Sequence, residues 1–262
     1  MLPSERRRQL LDRLARDGVL EVPELSKRLK VSQATVRRDL DRLQREGQLQ
    51  RVRGGAVVPS GLGDTAEPLH GEKVRTSAAA KRAIGRLVAA RVGLGDVIAL
   101  DSGTTTLAIA SALRHLEHAT VITTDLQIAL VLADTAGIDV IIVGGSVRRG
   151  LYSVVGPLAE RTLASLNVGT AFMGADAIDL ERGVTNASLS EVAVKRALLE
   201  SARTRVLVAD HTKFDSVSLA EVAPLAGFDE IVTDTGLARS TVERYEAAGT
   251  PLTLASLEEP RP

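Results

Sequence analysis

Residues 32–43 read Ser32-Gln33-Ala34-Thr35-Val36-Arg37-Arg38-Asp39-Leu40-Asp41-Arg42-Leu43. This run predicts an amphipathic helix that begins after its N-cap, Ser32, and ends before the stop signal Gly47. At about 100° per residue, the apolar side chains of Val36, Leu40 and Leu43 share one face. The helix therefore has one side suited to a protein core.

The opposite face of this predicted helix carries small, polar and basic side chains, namely Ala34, Arg38, Asp41 and Arg45. A helix that enters the major groove of DNA needs this arrangement, because side chains near its N-terminus must reach base edges and its first N–H groups can meet phosphate. The pattern also fits a solvated surface helix in which Asp39 and Asp41 pair with arginines at positions 37, 38 or 45. The helix alone leaves both interpretations open.

The flanking segments predict a small DNA-binding fold. A leucine stripe predicts a first helix soon after the N-terminus, and a second helix fits Pro23–Lys30. Residues 49–58 predict two short strands around a Gly-Gly turn, with Arg51 and Arg53 on one face. A hairpin with arginines beside a reading helix suits contact with phosphate or the minor groove. Three helices and this hairpin predict a winged helix-turn-helix.

Charge is distributed unevenly along the 262 residues, although the formal net charge is zero. Residues 1–57 carry 14 of the 33 Lys and Arg residues but only 8 of the 33 Asp and Glu residues. A basic module on a mildly acidic body favours nucleic-acid contact at one end. The absence of Cys excludes disulfides, Cys-ligated metals and thiol catalysis, and no run resembles a signal peptide or a membrane span. We therefore expect a cytoplasmic protein with no metal, cofactor or membrane contact.

A stretch rich in Gly and Pro predicts a boundary between two domains. We expect a winged helix-turn-helix domain over residues 1–58, a linker over 59–71 and an α/β domain over 72–262. Beyond the linker, short β-branched runs alternate with helical patterns at 97–100, 120–123, 140–143, 171–173, 205–208 and 230–233. Most of these runs are continuously apolar, as in strands buried on both faces, so we expect a parallel sheet.

Small polar residues follow the predicted strands. They lie at Asp101–Thr106, Thr123–Asp125, Gly144–Arg149, Gly174–Asp176 and Ala209–Lys213. In a parallel sheet these strand ends meet at one edge, where ligands bind. Helix N-termini, hydroxyls and a cation such as Arg148 or Lys213 suit a phosphorylated or polyhydroxylated anion. Each turn alone also fits ordinary capping, but the five together favour a binding site.

Residues on both sides of the linker resemble the DeoR family of bacterial transcriptional regulators. In the N-terminal part the resemblance rests on Ser32–Leu40, Leu43, Gly47 and Arg51–Ala56. In the C-terminal part it rests on Asp101–Thr106, Gly144-Gly145, Gly174–Asp176, Gly183–Thr185, Glu191 with Val194–Arg196, and Asp210 with Lys213-Phe214. The resemblance implies a DNA-reading helix at 32–46 and a sensor domain that responds to phosphorylated sugars and is similar in fold to ribose-5-phosphate isomerase and glucosamine-6-phosphate deaminase. One departure from the family pattern is Thr124-Asp125, where many members have Asn-Ser or Asn-Thr, and a second is the missing aromatic before Arg75.

These patterns and the resemblance together predict the site residues. The DNA contacts are Ser32, Gln33, Thr35, Arg37, Arg38, Arg51 and Arg53. The resemblance implies that the effector phosphate is held by Ser102, Gly103, Thr104, Thr105 and Thr106, and that the pocket is lined by Asp101, Thr123, Arg148, Asp176 and Lys195. The spacing of Glu191 and Lys195 is, by itself, more typical of a surface ion pair.

Two functions fit the sequence. The first is a repressor that binds double-stranded operator DNA as a homodimer or homotetramer and is loosened by a phosphorylated sugar. The second is a sugar-phosphate isomerase with an N-terminal helical extension, in which the acids and bases are Asp101, Asp176, Glu191 and Lys195. An isomerase has no need of a reading helix and a wing, so we predict a regulator with no catalytic residues.

Overall fold

A computed structural model describes residues 3–17, 19–45, 49–52, 54–57, 68, 70–114 and 118–258. The chain divides into two compact units, residues 1–69 and residues 70–262. This division falls inside the segment predicted as a linker, and the second unit begins with a helix at His70. Within the described ranges, no helix is both long and apolar enough to cross a membrane.

The first unit is a winged helix-turn-helix, which confirms the predicted fold. Its elements are α1 (Pro3–Asp17), β1 (Val19–Glu21), α2 (Val22–Leu29), α3 (Gln33–Arg45), β2 (Gln50–Val52) and β3 (Gly55–Val57). The apolar stripes of the three helices meet in one core, where Leu10, Leu25, Val36 and Leu40 are at most 2% exposed. Helix α3 therefore buries the face that the periodicity predicts.

The wing is a three-stranded antiparallel sheet, in which β3 lies between β1 and β2. Strand β1 is only three residues long and has no periodic pattern from which it could be predicted. Gly54 has a φ of +91°, in the left-handed region that favours glycine. Gly55 lies so close to β1 that a Cβ atom there would stand 1.8 Å from the carbonyl oxygen of Leu20. Both glycines are therefore required by the backbone.

The second unit has the α/β architecture that the sequence predicts. Its helices are α4 (His70–Arg75), α5 (Ala78–Ala89), α6 (Thr104–Leu113), α7 (Leu126–Ala133), α8 (Pro157–Ala164), α9 (Leu189–Ser201) and α10 (Arg239–Ala247). Its strands are β4 (Val97–Leu100), β5 (Ala119–Thr123), β6 (Ile138–Ile142), β7 (Ser146–Val147), β8 (Val154–Val155), β9 (Val168–Gly174), β10 (Ala177–Asp179), β11 (Gly183–Asn186), β12 (Ala202–Val208), β13 (Ala220–Ala223), β14 (Glu230–Asp234) and β15 (Leu252–Ala255).

A parallel sheet with the strand order β15-β14-β12-β9-β4-β5-β6 forms the centre of this unit. Residues along β4 alternate between its two faces, as the strand geometry requires. Ile98 and Leu100 belong to the core that includes Ile84 of α5 and Ile109 of α6, whereas Ala99 belongs to the core with Leu198 of α9. Both faces of the sheet are thus covered by helices.

The expectation of burial on both faces is wrong for β6. Ile141 and Ile142 are 41% and 43% exposed, because β6 is the last strand of the sheet and has a neighbour on one side only. The smaller strands, which form the hairpin β7–β8 and the antiparallel sheet β10-β11-β13, are not predicted by the sequence patterns. These strands are two to four residues long, too short for a distinct pattern.

Candidate functional site

The outer face of α3 is the candidate nucleic-acid interface. Gln33, Arg37 and Arg38 are exposed, and Thr35 is half-buried near the start of the helix. The hydroxyl of Ser32 accepts a hydrogen bond from the backbone N–H of Thr35 at 3.2 Å, so Ser32 is the N-cap that the sequence predicts. The structure thus brings these five predicted contacts together on one exposed helix start.

The arginines beside this face differ in their surroundings. Arg37 donates to the side-chain oxygen of Gln33 at 3.2 Å. Arg51 of the wing turns towards α3, where it donates to the carbonyl oxygen of Arg37 and lies 3.5 Å from a carboxylate oxygen of Asp41. Arg53, the other predicted wing contact, lies outside the described residues.

Asp39 does not form the local ion pair that the alternative interpretation of α3, a solvated surface helix, would require. Asp39 is buried, and it accepts a hydrogen bond from Nε of Arg6 in α1 at 2.5 Å. Arg7 lies 3.9 Å from the second carboxylate oxygen of Asp39. The ion pair is therefore tertiary, and it joins α1 to the helix that carries the candidate DNA contacts.

The carboxyl edge of the parallel sheet is the second candidate site. An aspartate stands at, or within two residues after, the ends of β4, β5, β9, β12 and β14, namely Asp101, Asp125, Asp176, Asp210 and Asp234. Apart from Asp176, which is partly exposed, these aspartates are buried. Buried carboxylates need compensation by cations or N–H donors, and the partners of each determine what the edge can bind.

Asp101 and Lys195 form a buried ion pair in the middle of this edge. Lys195 of α9 also donates to the carbonyl oxygen of Gly174 at 3.0 Å, and the N–H of Gly174 donates to Asp101 at 3.0 Å. Burial opposes the charge of Lys195, but the carboxylates of Asp101 and Glu191 raise the pKa of Lys195 above its usual value. Lys195 is therefore protonated at this edge of the sheet.

Glu191 lies beside this pair and has three side-chain donors. Arg148 and the hydroxyl of Ser153 each donate to one carboxylate oxygen at 2.6 Å, and Asn186 donates to the other at 2.9 Å. Burial alone would raise the pKa of Glu191, but Arg148 and Lys195 hold that pKa below its usual value. The expected surface pairing of Glu191 with Lys195 is wrong, because both side chains are buried and each has a different main partner.

The turn before α6 is held by Asp125, which also caps α7. One carboxylate oxygen of Asp125 accepts from the N–H groups of Gln127 and Ile128, and the other accepts from the N–H of Gly103 at 3.1 Å. Burial raises the pKa of Asp125 to about 6, although these three N–H groups favour its ionised form. Asp125 thus connects the ends of β4 and β5.

Two threonines predicted at the effector site are enclosed. The hydroxyl of Thr106 donates to the carbonyl oxygen of Gly103, and that of Thr123 donates to the carbonyl oxygen of Leu100, each at 2.8 Å. Neither threonine has exposed surface. In contrast, Ser102, Gly103 and Thr104 are partly exposed at the start of α6.

A groove of about 380 Å³ lies between α5 and α6. Thr104 lines it, together with three basic side chains, Lys81, Arg82 and Arg86. Val74 of α4 also contributes to the lining. The groove therefore places positive charge close to the N-terminus of α6, where helix N–H groups have no intrahelical partner.

Lys73 of α4 is a site residue that the sequence analysis missed. Its ammonium donates to Asp176 at 2.9 Å, and the N–H of Ala187 donates to the other carboxylate oxygen of Asp176 at 3.0 Å. Burial alone would raise the pKa of Asp176, but Lys73 and this N–H lower it to about 2. No periodic pattern in the sequence marks Lys73, and its partner is 103 residues away.

Comparison with known proteins assigns both units to one family. A model of the DeoR-like helix-turn-helix domain matches residues 6–61, and a model of the DeoR C-terminal sensor domain matches residues 76–235. The chain belongs to the DeoR family of transcriptional regulators. The resemblance seen in the sequence is thereby confirmed, and so is the function of a DNA-binding regulator.

The similarity of this DeoR-family regulator to individual relatives extends over most of its length. It is 41% identical to the helix-turn-helix transcriptional regulator YgbI of Escherichia coli (strain K12), over 92% of this chain and 93% of the relative. It is 33% identical to the transcriptional repressor AccR of Agrobacterium fabrum, over 88% of this chain and 90% of the relative. Among solved structures, ribose 5-phosphate isomerase A from Methanocaldococcus jannaschii aligns with a TM-score of 0.38 and 16% identity, over 51% of this chain and 53% of the isomerase.

Proposed function

We propose that this regulator represses carbohydrate-metabolism genes and that a phosphorylated sugar, bound at the carboxyl edge of its sheet, loosens its binding to operator DNA. The observation that carries the effector half of this proposal is the groove between α5 and α6. Its lining includes Thr104, the first residue of α6, and the basic side chains of Lys81, Arg82 and Arg86. Helix N–H groups and basic side chains together suit a phosphate dianion. The aspartates along the edge supply acceptors for sugar hydroxyls.

The DNA half of the proposal rests on the exposed start of α3. Gln33, Arg37 and Arg38 reach base edges when α3 enters the major groove, and Arg51 and Arg53 of the wing serve the adjoining backbone or minor groove. A homodimer or homotetramer presents two such helices to half-sites about 34–36 Å apart. The relative AccR is named as a transcriptional repressor, and this supports repression as the direction of control.

We infer sensing rather than turnover at the sheet edge. The isomerase hypothesis includes Asp101 and Lys195 among its acids and bases. Their side chains are only 2% and 4% exposed, and they form an ion pair with each other. A general acid or base must come within hydrogen-bond reach of the substrate proton that it transfers.

The test is DNA binding by the full-length protein to the region upstream of its own gene, measured at two salt concentrations. Each titration is repeated with a panel of sugar phosphates, with the matching unphosphorylated sugars and with inorganic phosphate. We expect sequence-specific binding that one sugar phosphate releases and that the matching free sugar does not. We also expect that sugar phosphate to be recovered unchanged after long incubation.

Three results would contradict the proposal. Salt-sensitive binding without sequence preference would leave only a basic module that holds phosphates. Specific binding that no sugar phosphate alters would remove the effector half. Conversion of ribose 5-phosphate or glucosamine 6-phosphate by the same preparation would favour the isomerase hypothesis.

A further inference from the structure

Helix α4 is the first element after residues 58–69, which lead from the DNA-binding unit, and contacts within the second unit hold both of its ends. At its start, the N–H of His70 donates to the carbonyl oxygen of Gly150 at 3.2 Å, and the His70 ring packs edge-on against Tyr152 with centroids 5.3 Å apart. At its end, Lys81 of α5 donates to the carbonyl oxygens of Lys73 and Thr76 at 2.6 and 2.7 Å. The side chain of Lys73 connects α4 to the end of β9 through its ion pair with Asp176.

This pair is also the most accessible of the Lys or Arg pairs described at the edge. The side chains of Lys73 and Asp176 are 20% and 17% exposed. In the three other pairs, each side chain is 10% exposed or less; these pairs are Lys81–Asp210, Arg148–Glu191 and Lys195–Asp101. A ligand that arrives from solvent therefore reaches Lys73 and Asp176 before the enclosed cations.

The charges at this pair set up a competition. Asp176 is ionised at neutral pH, because Lys73 and the N–H of Ala187 hold its pKa near 2 despite burial. A phosphate dianion brings more charge and more acceptor oxygens to an ammonium group than a single carboxylate does. Asp176, relieved of Lys73, can accept hydrogen bonds from ligand hydroxyls. Val74, the neighbour of Lys73, already lines the groove beside α6.

We propose that Lys73 is an effector-binding residue, and that a phosphorylated ligand which takes Lys73 from Asp176 releases helix α4 and so transmits binding to the segment that leads to the DNA-binding unit. The inference rests on the proposed function, because it names how that same site is regulated. To release α4, the ligand must bind the protein more tightly when α4 is released than when it is fastened. The coupling expected for such a device changes operator affinity by about 5- to 150-fold.

The first experiment measures the position of α4 in the full chain. The protein has no Cys, so nitroxide labels go only to introduced sites. Gly71→Cys places one label on α4, where a Cβ meets nothing within 4 Å, and Glu200→Cys places the other on the exposed side of α9. Pulsed electron–electron double resonance gives the distance between the labels with and without each sugar phosphate. Calorimetry measures the binding of each sugar phosphate, and DNA titration measures the release of operator DNA.

We expect the distance between the labels to change when the protein binds the sugar phosphate that makes it release operator DNA. If a sugar phosphate binds the protein and releases the DNA while this distance stays unchanged, the role of α4 is overturned and the proposed function still stands. If none of the sugar phosphates binds, the proposed function fails, and the inference fails with it.

The second experiment removes the pair. Lys73→Met should weaken operator binding in the absence of ligand by about 5-fold or more, within the coupling range above, and should also weaken ligand binding. Arg203→Met removes an equal charge from an exposed position on β12, away from α4, and should change neither. The conservative variant Lys73→Arg, which can still donate to Asp176, should keep operator affinity near that of the wild type, which separates a lost ion pair from a misfolded chain. Unchanged operator affinity and ligand response in Lys73→Met would overturn the inference.

Discussion

Arg6 and Asp39 form a buried ion pair that joins α1 to α3 across 33 residues of sequence. Nε of Arg6 lies 2.5 Å from Oδ2 of Asp39, and the two side chains are 10% and 8% exposed. Asp39 is buried on the same helix on which the candidate DNA contacts Arg37 and Arg38 are exposed. The pair therefore fixes the rotation at which α3 presents its outer face.

Removal of one partner should be far more costly than removal of an exposed charge. Asp39→Ala leaves Arg6 buried without a carboxylate and should destabilise the first unit by about 3–5 kcal/mol. Asp41→Ala, on the exposed face of the same helix, should cost less than about 1 kcal/mol. Hydrogen exchange of α1 and α3 in the full chain measures both. Joint replacement of the pair by Arg6→Met and Asp39→Leu should recover most of the loss, and equal effects of the two aspartate variants would contradict the interpretation.

The rotation of α3 could be predicted from the sequence, but the partner of Asp39 could not. Helical periodicity places Asp39 about 60° from Val36, at the border of the apolar face. A carboxylate at such a border can turn to solvent or to the core, and the choice depends on an arginine that lies a whole helix away. Local spacing shows only the neighbouring arginines as partners, so the tertiary pair with Arg6 could not be predicted.

The same limit applies at the sheet edge. The β/α alternation predicts that Asp101, Asp125 and Asp176 meet, because parallel strands end on one side. It does not predict which cation faces which carboxylate. Lys73 follows the linker in a stretch without periodicity, so nothing local connects it to Asp176. For Glu191 and Lys195 the spacing gave the correct shared side of α9, but burial of that side depends on how the helix packs on the sheet.

Arg38 should read a base rather than a phosphate. It is exposed near the start of α3, opposite the buried Val36–Leu40–Leu43 face. We expect Arg38→Ala to reduce the discrimination between operator and mismatched DNA by about 1–3 kcal/mol, whereas loss of a phosphate contact would weaken all DNA equally and lower the salt slope by about one. Titrations of both DNAs at several salt concentrations separate these results. Arg239→Ala, at an exposed site on α10 in the second unit, is the control and should change neither quantity.

The two wing glycines should respond differently to alanine. At Gly54 the space is open and only the φ of +91° opposes a side chain, so Gly54→Ala should cost about 1–2 kcal/mol. At Gly55 the new Cβ would overlap the Leu20 carbonyl oxygen, so Gly55→Ala must separate β1 from β3 and should cost at least about 3 kcal/mol. Hydrogen exchange of β1 reports this separation directly. Equal protection of β1 in both variants would show that the close approach does not limit the wing.

Asp125 should make the second unit less stable as the pH rises. Its pKa is raised by burial from 3.8 to about 6, so between these values the folded state holds a proton that the unfolded state has released. The stabilisation from this proton is complete below about pH 4 and is lost as the pH rises through 6, by up to about 3 kcal/mol.

Asp125→Asn removes this titration, so the difference in unfolding free energy between wild type and variant should change by that amount between pH 4 and 7. Both tyrosines lie in the second unit, so urea titrations followed by tyrosine fluorescence report its unfolding. Asp139→Asn, at an exposed position on β6, is the control and should run parallel to wild type; a parallel course for Asp125→Asn would show that burial does not raise the pKa of this carboxyl.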